Sequence, residues 1–229
     1  GEVTLQSALT YTGGTFVKDG VLRLGASERL LDTGSLLVSG GTFELGGFTE
    51  TLAQVRLEGG LIRNGILVGD AFTLVSGTVN AELAGMGGSL LKTGSGVAVF
   101  HTAASYTGGT AVEEGALVLG LDNALAASGS LRVSGGELAL GATTQTVGAF
   151  HLTGGLVSGG TLFGTAYTLE AGTVAASLAG SAALVKQGEG LTILSGANTY
   201  QGKTQVFGGT LRLAGAGAPT VAGTAVQVS

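Results

Sequence analysis

The chain has 229 residues, of which 45 are glycine, one is proline and none is cysteine. Apolar residues make up 44% and charged residues only 11%, with a formal net charge of −5, a pI near 4.9 and a mean hydropathy of +0.49. The missing Gly-X-Y period excludes collagen and the apolar content argues against disorder. The absent cysteine excludes thiol, disulfide and zinc-thiolate chemistry. The acidic balance, without a basic run, makes nucleic acid and anionic membranes poor partners. No run of 18 apolar residues could cross a bilayer as a helix.

In chain order the apolar residues alternate in short runs. Val3-Thr4-Leu5 and Val21-Leu22-Arg23-Leu24 come first, followed by Thr42-Phe43-Glu44-Leu45, Leu117-Val118-Leu119, Glu137-Leu138-Ala139-Leu140, Leu191-Thr192-Ile193-Leu194 and Thr210-Leu211-Arg212-Leu213. Each run places every second residue on one side, as in a strand with one buried face, and predicts strands of about 4–6 residues. Gly-Gly or Ser-Gly stands between the runs and supplies the positive φ that tight corners need. The one helix-like stretch, 26–31, matches 121–126 and reads as a short turn or side loop.

The runs themselves repeat. Tyr11-Thr12-Gly13-Gly14-Thr15 returns 95 residues later as Tyr106-Thr107-Gly108-Gly109-Thr110, and Ser39-Gly40-Gly41 as Ser134-Gly135-Gly136. One residue is then lost, so that Lys92 returns as Lys186 and Tyr106 as Tyr200. About two and a half copies follow, at 1–89, 90–183 and 184–229, within a single domain spanning 1–229. A long repeat of short strands and glycine pairs points to a stacked solenoid. At roughly 20 residues per coil, the chain holds about eleven coils in a rod on the order of 50 Å long. A sandwich would show longer strands and hairpin signals, and a propeller would show aromatic markers in each blade. The chain starts in mid-pattern with no signal segment, so it reads as a piece of a longer polypeptide with open ends.

The stretch Leu184 to Leu213 closely resembles the passenger-associated repeat of bacterial autotransporters, of the form L-x-K-x-G-x-G-x-L-x-L-S-G-x-N-T-Y-x-G-x-T. Leu90 to Leu119 is a looser match, with His101-Thr102 and Ala104 replacing the Ser-Gly and Asn of the motif, and the first copy keeps the second half from Tyr11 to Leu24. The resemblance implies an all-β, right-handed parallel β-helix forming part of the passenger of a Gram-negative type V secretion system. It implies display on the bacterial cell surface, held through an outer-membrane barrel of the same polypeptide or released. That barrel is not in this sequence. Lys92, Gly94, Gly96, Tyr106 and Gly108, with Lys186, Gly188, Gly190, Tyr200 and Gly202, are the motif residues and are expected to be structural. A rigid stalk that aids export is the expected role. The alternatives are a self-associating or host-binding adhesin surface, as in virulence, and a glycan-active β-helix enzyme. The partners would be host-cell or bacterial surface molecules, or a second copy.

No constellation of catalytic or metal-binding residues emerges. His101 and His151 have Ser195 and Arg56 as repeat partners, and neither has a ligand at metal spacing. Ser95, between Gly94 and Gly96, aligns with Glu189 and not with a repeated nucleophile. The adjacent acids Glu113-Glu114 would point to opposite faces of a strand. An enzyme and a cofactor are therefore not expected. The clearest difference between copies is charge. Glu44, Glu50, Arg56, Glu58, Arg63 and Asp70 are replaced 95 residues on by Ala139, Gln145, His151, Thr153, Ser158 and Thr165. These six residues are the candidate surface contact patch.

Overall fold

The computed structural model describes residues 1–214 and the strand Val226–Val228; the remainder of the third copy lies outside the described residues. Among the described residues there are strands and no helix, and the strands pair in parallel to form a β-solenoid of about 11 turns.

Each turn visits three faces. On the first face, Glu2–Leu5 pairs with Val21–Leu24, which pairs with Thr42–Glu44, and the stack continues through Val97–Phe100 and Ala116–Leu119 to Leu191–Leu194 and Thr210–Leu213. The third face runs from Thr15–Val17 and Ser35–Val38 through Ser89–Lys92 and Gly109–Val112 to Leu184–Lys186, Thr204–Val206 and Val226–Val228. The second face is strand only in part, where Thr49–Leu57, Leu61–Leu74 and Gly77–Ala84 stack, and again where Glu137–Thr146, Leu156–Phe163 and Ser177–Ala179 stack. Elsewhere it is loop, including 26–31 and 121–126.

Several strands exceed the expected 4–6 residues. Leu61–Leu74 runs for 14 residues and pairs successively on all three faces. Its corners are too short to interrupt the ladder; at the first, Asn64 takes a φ of 62° and the register shifts between Arg63 and Ile66. Alternation then buries every second residue, including Phe43, Ile62 and Val79 on the first face and Leu36, Val55, Phe72 and Leu90 in one row of the third.

Where the third face turns back to the first, glycines stack in three runs: Gly20, Gly41, Gly60 and Gly77, then Gly96, Gly115, Gly136, Gly155 and Gly172, then Gly190 and Gly209. Gly115 shows why. Its φ is +62°, and a Cβ there would run into the backbone carbonyl oxygens of Gly94 and Gly96 as well as Nζ of Lys92, so the corner has no room for a side chain.

Candidate functional site

The third face carries an inward column of Val17, Val38, Leu57, Leu74, Lys92, Val112, Val133, Leu152, Leu169, Lys186 and Val206, each in register with the next. Two lysines thus occupy an aliphatic column, and both are fully buried. Among the described residues no carboxylate bonds to either ammonium. Lys92 Nζ donates to the carbonyls of Thr93 (2.9 Å), Gly94 (2.7 Å) and Glu114 (2.9 Å). Lys186 Nζ does the same to Gln187 (2.6 Å), Gly188 (3.0 Å) and Gly208 (3.1 Å). All three ammonium donors are used. Two of the carbonyls belong to the lysine's own corner and one to the corner of the next coil, so each lysine staples two coils. Burial pushes both ammonium groups below the ordinary lysine value.

The tyrosines of the motif brace their own corner, each hydroxyl meeting a threonine four residues on. Tyr106 and Tyr200 are buried, with their hydroxyls 2.6 Å from Thr110 Oγ1 and 2.8 Å from Thr204 Oγ1. Tyr11 makes the same contact to Thr15 at 2.6 Å but is 43% exposed. Burial raises the Tyr106 hydroxyl far above its ordinary value. The rings extend an aromatic column, with centroids 6.2 Å apart for Phe72–Tyr106 and 6.0 Å for Tyr167–Tyr200. In the third copy, Asn198 is buried as well; its Oδ1 accepts from Leu178 N (2.9 Å) and its Nδ2 donates to Gly196 O (3.0 Å). Ala104 holds that position in the second copy and makes no such side-chain bond. Gly96 and Gly190 lie in the glycine column, while Gly108 and Gly202 pack against the backbone of the preceding coil between the second and third faces.

The charged residues of the first copy do not form one patch. Glu44 and Glu50 are buried, at 2% and 0% exposure, and so are not surface contacts. Glu44 stands in a vertical ladder with Arg23 and Arg63 on the first face, accepts from Asn64 Nδ2 (3.0 Å) and Gly46 N (3.1 Å), and is covered by them. Arg63 Nε lies 2.6 Å from Glu44 Oε2, but off the line a hydrogen bond needs, so the pair is an ionic contact. Burial pushes the Glu44 carboxyl up, but the Asn64 and Gly46 bonds and the Arg63 charge together bring it below its ordinary value. Glu50 serves backbone N–H groups. Arg56 and Glu58 pair at 2.7 Å on the third face and the adjoining corner, while Arg63 faces out from the first face. Asp70 is exposed at the corner between the second and third faces. The four exposed or half-exposed residues therefore point in different directions around the rod.

His101 is exposed, and His151 Nε2 sits 3.1 Å from Glu170 Oε1. Hydrogen bonds from Gln187 and His151 hold the Glu170 carboxyl below its ordinary value. Among the described residues no three His, Cys, Asp or Glu side chains gather as a metal ion would need. One groove on the third face is lined by Ser35, Leu37, Gln54, Arg56, Ala71 and Thr73.

The family model described as passenger-associated-transport-repeat matches residues 1–24, 90–119 and 184–213. The chain carries three stretches that match this transport repeat. The first match reaches back to residue 1, so all three transport repeats cover a first-face strand, the tyrosine corner and the following glycine corner. The second and third transport repeats begin two residues before the buried lysine and end one coil later, which is the span that each lysine ties together. Such repeats belong to autotransporter passengers with a β-helix, and the family implies secretion to the cell surface. No match was found among curated proteins or among solved structures.

Proposed function

We propose that this β-solenoid is a rigid stalk within a surface-displayed passenger, and that its transport repeats aid export by stapling coils together. The observation that carries this reading is where the repeat spends its polar residues. Lys92, Lys186, Tyr106, Tyr200 and Asn198 all point inward and bond within the rod, where no substrate or receptor reaches them. A stapled coil buries its apolar surface and its ammonium together, which favours the folded side of the membrane once two coils have emerged. We read the chain as a structural element and not an enzyme. Its partner in export is the outer-membrane barrel of the same polypeptide.

The experiment is to express the parent polypeptide with and without residues 184–213 and quantify surface display. Reduced display of a passenger that still folds is expected; unchanged display would remove the export role. A second reading, an adhesive surface for host or bacterial molecules or for another copy, is favoured by Phe16, which is 61% exposed and in register with Leu37 beside the Arg56 groove. Replacing Phe16, Leu37 and Arg56 together would then abolish attachment while leaving display intact.

A further inference from the structure

The stalk reading leaves the buried Glu50 carboxyl unused. Glu50 is enclosed on the second face, and its two oxygens accept the N–H groups of Arg29 and Leu30, both at 2.8 Å. In return, Glu28 of the loop beneath reaches up to Thr51, accepting from its N–H (3.1 Å) and its hydroxyl (3.0 Å). Glu28 adopts a φ of 52°. Two carboxylates thus interlock loop 25–34 with the next coil, where the second face has no strand on the loop side.

The same lock recurs 95 residues later, built from amides. Leu125 N donates to Gln145 Oε1 (3.3 Å) and Thr146 N to Asn123 Oδ1 (3.1 Å), and Asn123 has a φ of 49°. Gln145 uses its other end as well, donating to Leu121 O (2.7 Å) and Thr143 Oγ1 (2.8 Å). The twin's own carboxylate, Asp122, is exposed and accepts from Thr144 N at 2.8 Å.

The first lock buries charge without a cation. From the loop beneath, Glu28 and Asp32 add negative charge. The Arg29 guanidinium is turned away to Ser27 O (2.9 and 2.8 Å) and Gln6 O (3.3 Å). The strand above places Leu67 opposite Glu50. A buried carboxylate among like charges is costly when ionised, and hydrogen bonds offset only part of that cost.

We propose that loop 25–34 is a pH-sensitive latch, tighter in mild acid and looser at neutral pH, while its amide twin at 120–129 is insensitive. Burial first, then repulsion from Glu28 and Asp32, raises the Glu50 carboxyl above its ordinary value despite the two N–H bonds. The closed loop therefore holds a proton that the open loop would release. Protons favour closure, and the closing contribution is full below the ordinary carboxyl value. It is lost as pH rises through the raised value, by at most about tenfold per pH unit.

The test is native-state amide exchange on the intact protein from about pH 4 to 8, corrected for intrinsic rates. Protection of Arg29 and Leu30 is expected to fall severalfold as pH rises, with Leu125 flat; protection that is constant or rises with pH overturns the proposal. Glu50→Gln should flatten the Arg29 and Leu30 profiles, and a retained slope would count against Glu50. Because that variant also removes one N–H acceptor, the Glu50 carboxyl is titrated directly by carbon NMR in the unmodified chain. A midpoint above the ordinary 4.5 is expected, and one at or below it overturns the proposal.

Discussion

Replacing Lys92 with methionine removes three donors and keeps the stem. The column already accepts Leu74 below and Val112 above, so the methionine side chain fits without a cavity. What is lost is the capping of Thr93, Gly94 and Glu114 carbonyls. Hydrogen bonds from a charged donor contribute about 1.5–3 kcal/mol each. Desolvating the ammonium opposes them by several kcal/mol. The difference leaves the staple worth roughly 1–3 kcal/mol, and Lys92→Met should destabilise by that amount. Lys92→Ala also removes three buried methylenes, at about 0.8 kcal/mol each, and should lose roughly 2 kcal/mol more. Denaturant unfolding gives the size of the effect, and amide exchange at Val112 and Phe100 gives its location. If Lys92→Met matches or exceeds the parent in stability, the carbonyls do not need the ammonium, and the lysine is only a tolerated stem.

Three further outcomes follow from the same geometry. Gly115→Ala meets both a positive φ and the Lys92 ammonium, so it should cost about 2 kcal/mol or more in unfolding experiments, whereas Gly47→Ala, with φ +87° and open space around it, should cost only about 1 kcal/mol. Tyr106→Phe orphans the buried Thr110 hydroxyl and should destabilise by about 1 kcal/mol, while Tyr11→Phe, at an exposed site, should leave the denaturation midpoint nearly unchanged. Thr192 Oγ1 is buried without a partner, so Thr192→Val should stabilise the rod by about 1 kcal/mol, read as a raised denaturation midpoint.

The alternation at Val21–Leu24 and Leu191–Leu194 and the glycine pairs were enough to read strands, corners and about eleven turns, because both signals are local. The length of Leu61–Leu74 was not legible, since whether a ladder continues around a corner depends on the coil beside it. The repeat also marked Lys92 and Lys186 as structural residues, yet nothing in the spacing says that they point inward, because lysine burial depends on one carbonyl supplied 22 residues away as well as two nearby. Glu44 and Glu50 misled the reading for a related reason. Seen as lost charges they suggest a surface patch, but Glu50 opposite Gln145 is a pair of nearly equal shape, and Glu28 has Asn123 as its partner. Both substitutions keep an acceptor oxygen, which is the feature that points to capping.

Neighbouring coils of this rod resemble one another, with 16 to 22 residues between partners. Sliding one segment by a whole coil would leave the apolar pattern intact, so burial alone chooses poorly among alignments. The lysines break that degeneracy. From Lys92 the column passes through Val112, Val133, Leu152 and Leu169 before Lys186, and a slip of one coil would strand an ammonium among aliphatic side chains away from its three carbonyls. Each staple is thus also a bookmark, a polar feature whose burial is tolerable in only one alignment. A chain of near-identical turns can in this way keep count of where it is.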